Sequence, residues 1–370
     1  MNLCFSLKNH YNYLQIDTQP ARTIETMEES GSQLRRDAHH GGWVLHAFQP
    51  EREQLLAIPR DAWMNHTPNA LADPQGAGAH VLWSKTAALP DGREHTVRVI
   101  ANRFALYRVE GNEDREGVGL YDLMRGVGAH EIIIESPQPE DTLISMSPYQ
   151  YALAIQAMQE RILDLRRDFR LRSFSVFREW LCGNTTPTHP HAQLIANATI
   201  PLGLKNELDA ARGYFDYKDR CLFCDMIRQE LKDKDRLVMA TDDYVTFCPF
   251  ASRYPFEVHL FPRRHACDFC QEPGDRLPAL AAAIRDTALR LEESIPGWRV
   301  LMALHTAPVF GRHKVHPLTI THDFHWHIEF MPMPPGYIDW YSRTGTHVEY
   351  TAPENAAAYM RGLSVPSHWT

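Results

Sequence analysis

Thr188-His189-Pro190-His191-Ala192-Gln193-Leu194-Ile195-Ala196 is the stretch on which the reading of this chain turns. Its apolar tail, entered from the turn formers Gly183, Asn184 and Pro187, has the pattern of a β-strand. Residues two apart share one face of a strand, so His189, His191 and Gln193 are expected to project together. Two imidazoles and a carboxamide on one face suit the handling of a phosphate. A neutral imidazole can attack phosphorus, and an amide N–H can donate to phosphate oxygens. With 20 histidines in 370 residues, about one His-x-His pair is expected by chance, so the pair needs support from its surroundings. A second one, His325-Trp326-His327, follows 136 positions later in the strand-like run Phe324 to Phe330.

The length of 370 residues suggests two domains, each with its own core. An apolar content of 44% with 23% charged residues is that of a soluble globular protein. A net charge of −8 argues against broad nucleic-acid binding, so a phosphate site has to be local. Met1 to Ser30 lacks the pattern of a signal peptide, and no run of apolar residues is long enough to span a membrane. Seven cysteines, four of them in two Cys-x-x-Cys pairs, fit metal ligands or thiols in a reducing compartment, and a cytoplasmic location is expected.

Along the chain, residues 1–30 read as an irregular arm and 58–80 as a long loop. Short strands are expected at Trp43 to His46, Val97 to Ile100 and Glu131 to Glu135. Ser147 caps a helix whose apolar positions, Tyr151, Ile155, Met158, Ile162 and Leu165, recur at helical spacing. A strand at Ser173 to Phe177 leads to the His-Pro-His strand, and a helical connection spans Lys205 to Tyr214. The order then returns. Strands at Leu237 to Ala240, Tyr244 to Cys248 and Glu257 to Phe261 precede a helix marked by Leu280, Ile284, Ala288 and Leu291. A strand at Val300 to Leu304 and the second His-x-His close the unit. The pattern reads as an internal duplication of an α+β unit, with residues 31–204 and 205–370 as its copies; two unrelated α+β halves are the alternative.

Taken together, Arg35-Arg36-Asp37 with Gly42-Trp43-Val44-Leu45, Asn102-Arg103-Phe104, His189-Pro190-His191-Ala192-Gln193, Cys221-Leu222-Phe223-Cys224, His305-Thr306-Ala307-Pro308 and Phe324-His325-Trp326-His327 resemble the galactose-1-phosphate uridylyltransferase family of the histidine-triad superfamily. The resemblance runs from about residue 33 to 365. It implies two histidine-triad-like domains, each an antiparallel sheet packed with helices, the first carrying the nucleophile and the second a metal. It also implies ping-pong transfer of a nucleoside monophosphate between sugar phosphates, with a nucleotide sugar or sugar phosphate as partner, and a homodimer. His191 then corresponds to the nucleophile, Gln193 to the phosphate donor and His189 to its companion. Arg36, Asn102 and Phe104 correspond to nucleotide contacts. A backbone carbonyl on the far ring nitrogen of His191 would fix its tautomer for attack.

Relatives carry zinc in the first half on a Cys-x-x-Cys, a His after Ser-Pro-Asp and the first His of His-Pro-His. This chain has no cysteine between Cys4 and Cys182, and Ser136-Pro137-Gln138-Pro139 stands where the other histidine is expected. Only His189 remains, and one donor cannot hold zinc, so the first-half site is expected to be absent. In the second half, Cys221, Cys224, His265 and His325 make a Cys2His2 set suited to one tetrahedral zinc. Cys267 and Cys270 offer an all-cysteine alternative. Glu207, His305 and His327 are weaker metal candidates, since some relatives use an acid and three histidines there.

The chain departs from the family before His189. The usual glycine-rich run is replaced by Phe177 to Thr186 with bulky Arg178, Glu179 and Trp180. Arg178 is expected to meet a phosphate by charge, and Thr186 to supply a hydroxyl. The segment Thr344 to Tyr350, with His347 and Glu349, lies where the family reads the sugar. Three functions follow: nucleotidyl transfer between sugar phosphates, release of the nucleotide to phosphate or water by a phosphorylase or hydrolase, or nucleotide binding without catalysis.

Overall fold

A computed structural model of the chain describes residues 32–36, 43–47, 71–183, 189–309 and 319–365. The residues 1–30 read as an arm, and Thr186, lie outside the described residues.

In chain order the strands begin with β1 (Ser32–Arg36), β2 (Trp43–Ala47), β3 (Val81–Ala88), β4 (Glu94–Ala101), β5 (Glu116–Val118), β6 (Tyr121–Arg125) and β7 (Gly128–Ile134). After helix α1 (Pro148–Leu165) come β8 (Ser173–Leu181) and β9 (His191–Asn197), then helices α2 (Leu202–Lys218) and α3 (Leu222–Asp233). The second half holds β10 (Leu237–Ala240), β11 (Tyr244–Phe247) and β12 (Val258–Pro262), helix α4 (Leu277–Ser294), β13 (Arg299–His305), the short α5 (Ile320–Asp323) and β14 (His327–Met333).

Ten of these strands make one antiparallel sheet, ordered β10-β11-β12-β14-β13-β8-β9-β7-β4-β3; β2-β1-β6-β5 form a small separate sheet. Counted from either edge inward, the large sheet gives the same order: first, second, third, fifth, fourth. In each half the long helix lies between the third and fourth strands of the chain. The halves join where β13 pairs with β8, Ala303 opposite Phe177.

Both long helices form for visible reasons. Ser147 accepts from the Gln150 N–H while the Gln150 side chain returns to the Ser147 N–H, a capping box, and Pro148 fills the first turn where no N–H is needed. The apolar stripe of α1 and that of α4 bury against one face of the sheet, and Tyr151, Ile155, Ile162, Leu194, Leu280, Ile284, Leu291 and Ile328 belong to one continuous core. Each such side chain contributes about 1.5–3 kcal/mol by leaving water. Polar ties also cross between the halves. Arg166 grips Asp268 through two bonds of 2.7 and 2.8 Å. Gln159 donates to the carbonyls of Phe269 and Glu272 at 2.9 and 3.0 Å.

Candidate active site and metal centre

Along β9 the burial alternates. Ala192, Leu194 and Ala196 go into the core beneath α1, which leaves His191 and Gln193 on the opposite, partly open face. β9 is held on both sides, with His191 opposite Ile134 of β7 and Gln193 opposite both Ile132 of β7 and Phe177 of β8. The shared face expected from the spacing is therefore present for His191 and Gln193. His189 precedes the strand and is buried, its Nε2 donating to the Ser136 carbonyl at 2.8 Å.

His191 Nδ1 lies 2.8 Å from the carbonyl oxygen of His189. A carbonyl only accepts, so Nδ1 carries the proton and Nε2 is the basic, nucleophilic nitrogen. Burial pushes the His191 pKa below the usual imidazole value; the His189 carbonyl opposes this, and the Arg178 charge adds to the depression. The ring is thus kept neutral. His189, His191, Arg178, Trp180 and Glu292 line a cavity of about 300 Å³. A larger cavity, about 650 Å³, is lined by Arg36, Arg172, Lys205 and Asp323 and, among the described residues, by no histidine or cysteine. His191 stands at the smaller one, whose lining does not include Gln193.

Of the expected substrate contacts among the described residues, Arg178 alone lines the cavity of His191, and its guanidinium is committed. It is buried and bonds the buried Glu135 carboxylate through Nε at 2.9 and 3.2 Å. Burial raises the Glu135 pKa against the pull of Arg178. Arg36 lies at the larger cavity, paired with Asp122 at 3.3 Å. His347 stacks on Tyr341 at 4.5 Å between ring centres, and Glu349 accepts from the Thr351 N–H, both in the C-terminal segment.

Asn102 and Phe104 reach the site through a residue that the motifs did not single out. Asn102 accepts from the Phe104 N–H at 2.8 Å and sets its own nitrogen 3.0 Å from Nε2 of His130. His130 in turn lies 2.8 Å from Oε1 of Gln193. The signal available in the sequence was a histidine in phase with Ile132 and Ile134 on one face of β7.

In the second half, Cys221, Cys224, His265 and His325 converge, their ligand atoms all within 4.8 Å of one another. Cys224 Sγ is 3.3 Å from His265 Nδ1 and 3.7 Å from His325 Nδ1. Tetrahedral bonds of about 2.0–2.3 Å place neighbouring ligands roughly 3.3–3.8 Å apart, so the set fits zinc. The far nitrogens are already held: His265 Nε2 donates to Thr321 O at 3.0 Å and His325 Nε2 to Pro262 O at 2.9 Å, which turns both Nδ1 atoms inward. Cys221 is the N-cap of α3 and Cys224 lies in its first turn; the hydrogen bond between them lowers the Cys224 pKa and, with burial, raises that of Cys221. Cys267 and Cys270 are not part of this group.

A second cluster joins Glu207, His305, His327 and Glu329. His305 Nδ1 is 2.9 Å from Glu207, and Arg253 reaches Glu329 at 2.6 Å. Burial would lower the His305 pKa, but the Glu207 bond and the charges of Glu329 and Glu207 outweigh it and raise the value. Glu329 is held well below the carboxylate range despite its burial, by His259, His327, His305 and Arg253. These opposite charges largely compensate one another. Glu329 was not foreseen.

Known proteins share this architecture. Residues 207–333 match the model of the galactose-1-phosphate uridyl transferase C-terminal domain. ADP-glucose phosphorylase of Arabidopsis thaliana is 23% identical over 350 residues, 92% of this chain and 95% of its own. Galactose-1-phosphate uridylyltransferase of Thermotoga maritima is 24% identical over 246 residues, 64% of this chain and 75% of its own. Among solved structures, a uridylyltransferase superposes with a TM-score of 0.69 at 21% identity, covering 89% of this chain and 97% of that one. The Arabidopsis phosphorylase with bound ADP-glucose superposes at 0.66 with 22% identity, covering 90% and 100%. The α+β fold is common to these solved structures, residues 207–333 carry the galactose-1-phosphate uridyl transferase C-terminal domain, and over most of its length the chain is similar to members of that family.

Proposed function

We propose that this protein is a nucleotidyltransferase that moves a nucleoside monophosphate between sugar phosphates through a covalent nucleotidyl-histidine at His191. The carrying observation is the His191 ring, neutral and tautomerically fixed at the edge of a cavity. Nε2 attacks the α-phosphorus of a nucleoside-diphosphate sugar. The P–N bond forms as the bond from that phosphorus to the bridging oxygen breaks, and the sugar 1-phosphate departs with the electron pair. A phosphate oxygen of the acceptor then attacks the same phosphorus and releases the imidazole. Dividing one exchange into two displacements is the gain of a covalent nucleophile, and Gln193 N–H donation to the non-bridging oxygens supplies charge stabilisation.

A second reading, in which inorganic phosphate is the acceptor, is favoured by the near full-length match to ADP-glucose phosphorylase. The covalent half-reaction is common to both.

Cys221, Cys224, His265 and His325 would hold one zinc ion, which would tie the start of α3 to β14 and the loop after β12, a structural service remote from the chemistry. Residues 31–204 and 205–370 we take as duplicated units, a division favoured by the repeated strand order. A homodimer and a cytoplasmic location belong to the same reading; no helix among the described residues is long and apolar enough to cross a membrane.

The test is incubation of the protein with UDP-, ADP- or GDP-glucose followed by intact-mass measurement without acid. A mass increase of one nucleoside monophosphate, absent from His191→Ala, is expected. No adduct with any of the three ends the proposal. Sugar 1-phosphate and inorganic phosphate, offered separately to the isolated adduct, distinguish the two acceptors.

A further inference from the structure

Gln193 is useful to a phosphate only if its nitrogen, not its oxygen, faces the ligand. The two ends of a carboxamide are nearly the same size, so packing alone does not choose between them. The choice is made by a buried neighbour. Leu106 donates its backbone N–H to His130 Nδ1 at 3.3 Å. A backbone N–H is always a donor, so Nδ1 of a neutral His130 is the acceptor and its proton sits on Nε2. Nε2–H then requires an oxygen opposite, and Gln193 Oε1 is there at 2.8 Å. The Asn102 nitrogen lies 3.0 Å from Nε2 and 3.4 Å from Nδ1; being a donor itself, it cannot accept from Nε2–H, so the oxygen that Nε2–H requires is that of Gln193, and the Asn102 amide bears on the ring edge. Asn102 is itself oriented, its oxygen accepting from the Phe104 N–H.

We infer that His130 is a positioning residue: it fixes the Gln193 carboxamide with oxygen held and N–H2 presented, and couples that orientation to Asn102 and the Phe104 backbone. The inference rests on the nucleotidyl-transfer reading above and gives it a further part. Gln193 is on β9 and His130 on β7, 63 positions apart in sequence, but the register of β7 against β9 sets His130 opposite Ile195, two residues from Gln193 on the same face. His130 is buried, so its hydrogen bonds are little weakened by water. Without it, the amide is free to turn its oxygen toward the phosphate or to sample other rotamers. Freeing one such side chain corresponds to about a tenfold loss in rate.

The experiment uses the full chain and four variants: His130→Phe, which keeps a ring and removes both nitrogens; His130→Gln, which restores an N–H near the Nε2 position; Gln193→Ala; and Gln193→Ala with His130→Phe. Single-turnover adduct formation with ADP-glucose and UDP-glucose is followed by mass, with kcat and KM from turnover. His130→Phe is expected to slow adduct formation about tenfold with KM changed less than twofold, and His130→Gln to recover most of the rate. In the Gln193→Ala background the His130→Phe change is expected to cost nothing more. Equal cost in both backgrounds overturns the inference, as does an unchanged rate in folded His130→Phe. Nitrogen-15 spectra of the wild-type His130 ring decide the point without activity. A protonated Nε2 is expected, and a protonated Nδ1 in its place overturns the inference even if every variant fails to fold. Failure of the wild type to form any adduct strikes the functional reading, while the ring spectrum continues to judge the positioning.

Discussion

His191 holds its Nδ1 proton against the carbonyl of His189 at 2.8 Å, and His327 stands in the same relation to His325 at 3.1 Å. A histidine two residues along an extended chain can reach back to the earlier carbonyl, so the bond is local and costs little additional ordering. The duplicated strand then takes two courses. Gln193 follows His191, whereas Glu329 follows His327 and draws basic side chains: Arg253, His305 and His259 gather round it. One substituent two residues on separates a face suited to phosphate from one suited to positive charge.

The neutral state of His191 predicts its pH dependence. Burial lowers the pKa, so the nucleophile stays unprotonated further into acid than a free imidazole. Protonation removes the nucleophile, so the rate falls as pH drops through the pKa of the folded protein. The acid limb of adduct formation is therefore expected below about 6.5, the free imidazole value. A limb at or above that value, measured with a substrate whose phosphates do not titrate in the range, contradicts the assignment.

Removing the metal site should act on stability first. With Cys224→Ser or a strong chelator, bound zinc is expected to fall from one ion per chain to none, and the melting temperature to drop. The four ligands come from the start of α3, the loop after β12 and the segment entering β14, and losing the ion releases all of these. Metal analysis with calorimetry checks this. Unchanged zinc content in Cys224→Ser would point to other ligands.

Ser147→Ala tests the capping box at the start of α1. The loss of one cap costs about 1 kcal/mol, read as a shift in urea midpoint with unchanged slope. A shift near zero would mean that Pro148 and the core contacts of α1 alone define where the helix begins.

Much of this fold is visible in the sequence because its signals are local. The helix over Pro148–Leu165 announces itself through Ser147 and the Tyr151, Ile155, Met158 rhythm, and β9 through its turn formers and alternation. Strand β3 carries no such mark: it is an edge strand with no buried position, and Lys85, which bonds Gln156 of α1, interrupts the apolar residues on its less exposed face. The pairing of β8 with β13 that makes one sheet of two is a backbone event between residues far apart in sequence, such as Leu304 and Val176, without a side-chain tag. Cys221 and Cys224 are legible by their spacing, but Glu329 and His130 are defined only by what folding brings beside them. Arg178 is instructive, because counting by twos from Phe174 and Val176 places it on the core face, where it meets Glu135.

That buried pair yields the last prediction. Glu135 is fully buried and Arg178 nearly so, and their bond at 2.9 Å compensates two charges that water cannot reach. The Glu135 backbone is also engaged: its N–H donates to the Pro190 carbonyl at 3.0 Å, and its own carbonyl accepts from His95 at 2.8 Å. The pair thus underlies the turn between His189 and His191. Glu135→Leu leaves Arg178 charged and alone, which costs about 3–5 kcal/mol. Arg178→Met alone is milder in charge, because Glu135, whose pKa burial already raises, can take up a proton. The two changes together remove both charges and fill the space with apolar groups, so the double variant is expected to be more stable than Glu135→Leu by roughly 2 kcal/mol or more. Urea unfolding of all three checks the order. If the double variant is no more stable than Glu135→Leu, the geometry of that site, not the compensation of charge, is what the pair maintains.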